Sequence, residues 1–343
     1  MVCFSVYQST PRPPQTLWRA AQFALAALGV ALIAALFVSP TIGLHAFWDA
    51  LIPAAPLLFV FAPGLWRNIC PLASCALLPR HLNKSKKKRL SSKAVNKLQR
   101  LSLVALLVII PLRHPLFNLD GSQTAAMLIA FLAIALLVGS LSEWKSAWCA
   151  AACPIHHVEK LYGCQTAITF NNAHCFPCAQ CVEPCPDSTR NNHALYPGLP
   201  RHRLTTGKIM AGIFPGYVWG WFQVADNAEG LNVYSSYQMC LLGGAVTLAL
   251  FQVALKTRRD ENDFLLAKFF AGAAVAAYYW YRLPALIGFT KFASDGTLVD
   301  LSSSLPIFTP TILRIATTSL FIWWFLVRKS QYREWLRRPI VQK

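Results

Sequence analysis

Eight apolar stretches run through this chain: Leu17–Val38, Phe47–Leu65, Leu98–Leu116, Thr124–Leu141, Ile209–Val224, Gln238–Leu255, Phe264–Phe289 and Thr309–Val327. About 20 apolar residues, rising about 1.5 Å each, carry a helix across the roughly 30 Å hydrocarbon core of a bilayer. In that core every backbone group must be satisfied internally, so only helices and closed barrels span it. Runs of this length select helices. The third stretch is interrupted by Pro111, Arg113 and His114, and the fifth is short and holds Gly212, Pro215, Gly216 and Gly220. Both stay in the set, because neighbouring helices can satisfy a broken backbone. Composition agrees: 55% of residues are hydrophobic and 13% charged, where a soluble domain carries about 25% charge. That excludes a disordered chain and a soluble two-domain reading of 343 residues. The size also argues against a secreted disulfide scaffold.

The charge has a direction. There are 32 Lys and Arg against 14 Asp and Glu, a net +18. With eight spans, both termini and the loops 66–97, 142–208 and 256–263 share one side. Of the 32 basic residues, 28 fall on that side or at its border, and Arg113, Arg282, Lys291 and Arg314 make up the rest. The positive-inside rule makes that side cytoplasmic, with both termini there. The basic excess is therefore an orientation signal, and no nucleic-acid-binding motif accompanies it, so no nucleic-acid partner is expected. The run Lys84-Ser-Lys86-Lys87-Lys88-Arg89 reads as a topology determinant touching anionic lipid. Its other reading is a dock for an acidic carrier such as ferredoxin or flavodoxin. Trp18, Trp66, Trp144, Trp148, Trp323 and Trp324 near the inner ends, with Trp48 and Tyr278–Tyr281 toward the outer ends, read as an interfacial belt. The first span reads as a retained anchor rather than a signal peptide.

Eleven cysteines need an explanation. Cys70, Cys75, Cys149, Cys153, Cys164, Cys175, Cys178, Cys181 and Cys185 lie in the two large inner loops; Cys3 is on the same side. Cys240 sits in a span and reads as a small buried hydrophobe. A reducing compartment favours metal over disulfides. Cys175-Phe-Pro-Cys178-Ala-Gln-Cys181-Val-Glu-Pro-Cys185-Pro186 has the C-x-x-C-x-x-C-x-x-x-C-P spacing of a bacterial ferredoxin run. Zinc sites usually use two separated C-x-x-C pairs. The expectation is one [4Fe-4S] cluster on Cys175, Cys178, Cys181 and Cys185.

In two-cluster ferredoxins the fourth cysteine of such a run ligates the other cluster. A second cluster would draw on Cys149, Cys153, Cys164 and Cys70. Cys149 and Cys153, four apart, share a face on a helix. With Cys164 and Cys185 they make four thiolates, which leaves Cys70 or Cys75 as a distant ligand for the remaining three. Trp66-Arg-Asn-Ile-Cys70-Pro71-Leu72 also echoes Cys149-Ala-Ala-Ala-Cys153-Pro154-Ile155. Each follows a pair of expected helices. This reads as an internal repeat whose first copy has Trp66 where the second has Cys149.

Paired Cys-Pro turns after membrane helices, followed by a ferredoxin run, resemble the membrane-bound polyferredoxins of the NapH and NosR type, and in part the CcoG-type oxidase-assembly proteins. The resemblance covers about Leu17 to Pro186. It implies a bacterial inner-membrane protein that passes electrons between a cytoplasmic or quinol donor and a partner redox protein such as a ferredoxin, a flavodoxin or a respiratory enzyme subunit. The chain departs from the pattern in having one ferredoxin run, an incomplete first Cys-Pro motif and four further spans. It also lacks a Ser/Thr-Gly-Ala-Thr flavin-attachment sequence, so covalent flavin is not expected. Haem is not expected either, because only His45 and His114 lie near membrane depth, both toward the outer side. Arg113 and His114 read as a quinone contact or as interfacial side chains. His156 and His157 read as interfacial, and His174 as a tuner of the cluster through hydrogen bonding.

The expected fold is an all-α polytopic membrane protein of about eight transmembrane helices with a small ferredoxin-like insert on the cytoplasmic side. Its parts are 1–141 (four spans and the basic loop), 142–208 (the iron–sulfur segment), 209–327 (four more spans) and 328–343 (a basic tail). Electron transfer is the expected function; alternatives are a redox maturation factor for a respiratory metalloenzyme and a membrane subunit with a structural cluster.

Overall fold

The computed structural model describes residues 15–174, 187, 194–195, 201–226, 231–257, 263–292, 294–329 and 334–337. Cys175, Cys178, Cys181 and Cys185, and with them the expected ferredoxin-like insert, lie outside the described residues. The described chain is almost entirely helical. Helix α1 (Gln15–Val38) leads to α2 (Pro40–Leu44), a π-wound turn at His45–Leu51 and α3 (Ile52–Phe61). Two short helices follow, α4 (Pro63–Ile69) and α5 (Pro71–His81). Next come α6 (Ser92–Leu112), a π turn at Arg113–Phe117, α7 (Gly121–Leu141), a π segment at Lys145–Ala152 and α8 (Ile155–Tyr162). The second half holds α9 (Arg201–Trp221), α10 (Leu231–Thr257), α11 (Asp263–Leu286) and α12 (Thr309–Ile322), which continues as a π turn to Val327. The sheet among the described residues is one parallel pair, β1 (Phe170–Asn171) with β2 (Leu336–Arg337).

Seven helical stretches are long and apolar enough to cross a membrane: Thr16–Val38, Pro40–Phe61, Ser92–Phe117, Gly121–Leu141, Val233–Thr257, Asp263–Leu286 and Thr309–Val327. The chain is accordingly read as a multi-pass membrane protein. The expected span at Ile209–Val224 is absent from this set, yet its helix is present. α9 runs antiparallel along α10. Gly212 meets Leu248 and Phe251, Gly216 lies on the Gly243 backbone, and Gly220 lies on Met239 and Cys240. A Cβ at Gly216 or Gly220 would strike an opposing carbonyl, so this approach requires glycine. Lys208 pairs with Asp263 at 3.1 Å at one end of α9, and Trp221 stacks on His114 at the other. Met210, Ala211, Phe214, Tyr217 and Val218 are buried between neighbours. A helix so enclosed needs less apolar surface than one that faces lipid.

The internal repeat has a common backbone. α3 breaks at Ala62, α4 follows, and Cys70–Pro71 turns the chain into α5. α7 ends before Ser142, the π segment follows, and Cys153–Pro154 turns the chain into α8. The two cysteines have nearly the same geometry, φ −57° and ψ 122° at Cys70 and φ −74° and ψ 119° at Cys153. Each proline explains its turn, since it forbids helical backbone before it and suits the first turn of a helix after it.

The belt expectation needs correcting. Trp144 and Trp148 are 1% exposed, and Trp48 and Trp324 are also buried. The short segments after α3 and α7 fold back against the helices, and the indoles fill the space between them. Trp323 remains exposed. Cys240 is fully buried, as expected of a small hydrophobe.

Candidate functional site

Three of the four cysteines expected for a second set meet at one end of the molecule. Cys70, Cys149 and Cys153 belong to a single buried cluster with Ala73, Ala76, Leu77, Ala135, Trp144 and Trp148. Cys164 does not join them. It sits in the turn Gly163–Gln165, packs against the larger core, and faces Lys268. Cys75 lies on α5, half-buried, and its Sγ donates to the Leu132 carbonyl at 3.5 Å. Burial pushes the Cys70 thiol up to about 11, Cys153 and Cys164 up to about 12, and Cys149 well above the ordinary range. Binding a metal there would therefore expel protons. Soft thiol donors of this kind suit an iron–sulfur cluster. Among the described residues, no three His, Cys, Asp or Glu side chains converge closely enough to hold a metal ion.

Arg67 is the hub of this site. It is buried and pairs with Glu159 at 2.5 Å and with Asp187 at 3.5 Å. It donates to His156 Nδ1 at 2.6 Å and approaches the Cys149 carbonyl at 3.5 Å. Arginine is always a donor; the same His156 Nδ1 also lies 3.4 Å from Glu159 Oε2. Lys145, buried on the π segment, pairs with Asp187 and donates to Asn172 Oδ1. Burial acts against the Arg67 charge, but Glu159 and Asp187 outweigh it and hold the guanidinium above its usual value. At Asp187 burial is likewise outweighed by Lys145 and Arg67, and the carboxyl is held below its usual range. At Glu159 burial prevails over Arg67, and the carboxyl is raised.

The same site anchors both flanks of the ferredoxin-type run. On the entering side, Asn68 Nδ2 donates to the Asn171 carbonyl at 2.8 Å, Ala173 N donates to Asn68 Oδ1, and His174 Nε2 meets the Arg67 carbonyl at 3.1 Å. His174 also packs edge-on to Trp144. On the leaving side, Asp187 pairs with Arg67 and Lys145. Burial first, and Lys145 second, drive the His174 imidazole down to about 3, so it is neutral. The expectation that His156 and His157 are interfacial is replaced by burial of both. His157 Nε2 lies 3.0 Å from the Gln99 carbonyl and 2.9 Å from Ser102 Oγ, and burial lowers it to about 4. A small cavity beyond the two histidines is lined by Gln99, His156, His157, Lys160, Thr206 and Met210.

Two further features of this end were not legible as sequence. The basic loop is tied down by its backbone: Lys86 N donates to Ser140 O, and Glu143 N to Lys88 O. Beside it Arg80 and Glu143 form a buried ion pair at 2.9 Å. The expected basic tail also turns back into the site, with Trp335 and Leu336 fully buried.

The opposite end holds a second polar network and no thiols among its named members. The Arg113 guanidinium lies between the Trp48 and Trp221 rings, 4.0 and 4.6 Å from their centroids. His114 Nδ1 lies 2.5 Å from Asp226 Oδ1, and its Nε2 lies 2.9 Å from the Trp221 carbonyl. Arg282 pairs with Asp49, which also accepts from His45. This network stitches α3, α6, α9 and α11 together.

No protein-family model matches the chain, and neither does any curated protein or solved structure.

Proposed function

We propose that this protein is a membrane-embedded one-electron carrier of the bacterial inner membrane, with a [4Fe-4S] cluster held by Cys175, Cys178, Cys181 and Cys185. The observation that supports this most is convergence. The residues on either side of the ferredoxin-type run, His174 and Asp187, both contact Arg67, and Cys70, Cys149 and Cys153 are buried beside the same arginine. In a two-cluster form Cys185 would join those three thiols, and Cys175, Cys178 and Cys181 would hold the first cluster with a distant fourth ligand such as Cys75. Bound iron and sulfide would supply the electron exchange; the surrounding chain sets the potential through charge, hydrogen bonds and exclusion of water. Arg67 and Lys145 are balanced by Glu159 and Asp187, so the described surroundings are close to neutral. A cytoplasmic or quinol donor would supply the electron, and an acidic partner such as a ferredoxin or flavodoxin, or a respiratory enzyme subunit, would exchange it.

Iron and sulfide counts with EPR on the purified protein test this reading. Four irons are expected for the run alone and eight with the second set. Cys178→Ser should abolish the signal of the run's cluster. A wild-type protein holding zinc and no iron, or a Cys178→Ser protein with unchanged iron, would overturn the proposal.

A further inference from the structure

The C-terminal residues Glu334–Arg337 make contacts that no composition argument anticipates. Trp335 is buried, and its indole N–H donates to the Gly163 carbonyl at 2.8 Å. The Arg67 guanidinium lies over its ring, 5.5 Å from the centroid. Two glycines exist in a form that admits it. A Cβ at Gly64 would strike the Trp335 carbonyl, and a Cβ at Gly163 would press on the indole. Gly64 lies in α4 and Gly163 follows α8, so the indole is seated between the two repeats.

The backbone of the same segment bonds to both flanks of the ferredoxin-type run. Phe170 N donates to Trp335 O at 3.4 Å, Asn172 N to Arg337 O at 2.9 Å, and Thr169 Oγ1 to Glu334 O at 2.8 Å. On the other flank Leu336 N donates to Asp187 O at 3.0 Å. Asp187 in turn holds Arg67 and Lys145. Upstream, Gln165 Nε2 donates to the Arg328 carbonyl at 3.0 Å, fixing the exit of the last span beside Gly163.

We propose that Trp335–Arg337 is an intramolecular strap, with Trp335 the positioning residue for Arg67, and that supplying this strap is one task of the last four helices. Seated, the strap keeps water from Arg67, Glu159 and the three thiols. It also brings the chain before the run and the chain after it to one strand. Unseated, it leaves a tryptophan-sized opening above Arg67. The inference rests on the carrier reading only for its electrochemical readout; the closure itself is a statement about access to Cys70, Cys149 and Cys153.

The test uses the full chain in nanodiscs, as purified and after anaerobic iron chelation. The rate at which a maleimide labels each cysteine is read by mass spectrometry. Trp335→Ala should raise labelling of Cys70, Cys149 and Cys153 at least tenfold after chelation, with Cys240 unchanged. Trp335→Phe should stay close to wild type. Gly64→Ala keeps the tail sequence intact and is favoured in a free helix, yet it should reproduce Trp335→Ala by expelling the tail. It also decides the matter if Trp335→Ala fails to fold. In iron-containing protein, the midpoint potential should shift in Trp335→Ala and Gly64→Ala and return in Trp335→Phe. Unchanged labelling in Gly64→Ala, or a rise shared equally by Cys240, would overturn the strap. A protein without iron that still shows the labelling pattern would sink the carrier reading and leave the strap standing.

Discussion

The two Cys-Pro turns have nearly the same backbone and opposite chemistry. In the first, Trp66, Arg67, Asn68 and Ile69 precede Cys70; in the second, Cys149 and three alanines precede Cys153. The first copy acts through side chains. Arg67 reaches Glu159, Asp187 and His156, and Asn68 holds Asn171 and Ala173. The second copy sends the Lys145 side chain to Asp187 and otherwise acts through its backbone. Its π winding frees carbonyls that other segments use: Gln99 donates to Ala150 O at 2.8 Å, and Ser102 to Ala151 O at 2.9 Å. One copy thus brings a cation, an amide and one thiol, the other a lysine, two thiols and a row of acceptors. The same turn frames two different sets of contacts. π segments of this kind often mark functional sites.

Removing the cation from the first copy should have the largest effect. Arg67→Met strands Glu159 and weakens the hold on Asp187 in a buried place, and breaking such a pair costs about 3–5 kcal/mol. Denaturant unfolding of the protein in detergent measures it. A loss below about 1 kcal/mol would show that the first copy does not depend on its arginine.

Acid should act next, and on the second copy. His157 supports the acceptor side through Ser102 and Gln99, and its folded value of about 4 lies below the ordinary 6.5. Below pH 6.5 the unfolded chain gains a proton that the native one refuses. Stability therefore falls as pH drops from 6.5 to about 4, by up to roughly 3 kcal/mol, and is indifferent to this group above pH 6.5. His157→Gln should remove that part of the slope. Raised Glu159 contributes with the opposite sign, so the difference between the two titration curves is the quantity to read. Matching curves would remove His157 from the account.

The smallest change expected is at the acceptors themselves. Ser102→Ala deletes one donor to the Ala151 carbonyl and should cost about 1–2 kcal/mol. The same thermal or denaturant scan resolves it, and a neutral result would mean that water replaces the hydroxyl.

Much of the architecture was legible because lipid imposes a simple rule. α1, the expected fourth span and the last three are continuous apolar runs, and the helices lie where those runs do. α9 was harder, because burial between helices relaxes the demand for apolarity and leaves only closely spaced glycines as a signal. The repeat was legible because proline fixes the turn whatever surrounds it. The site was legible in its residue types and not in its grouping. Cys164 follows Cys153 closely in sequence, but α8 carries it to another core. The charge count treated Arg67, Arg80 and Lys145 as orientation signals, whereas each is buried against a carboxylate far away in the chain. The tail could not be read, since four residues without periodicity carry no sign of their long-range seat. The tryptophan belt misled for a related reason: an indole at a helix end suits a headgroup and a crevice equally.

The enclosed helix α9 also bears on how the protein is made. Insertion into a bilayer during synthesis weighs each segment largely on its own apolarity. α9 is marginal by that measure, and Gly212, Gly216 and Gly220 find their partners on α10, which emerges later. The two are better regarded as a hairpin that enters together. The nascent chain must then hold α9 at the membrane surface until its partner arrives, and the cysteine-rich stretch just upstream waits outside the bilayer with it.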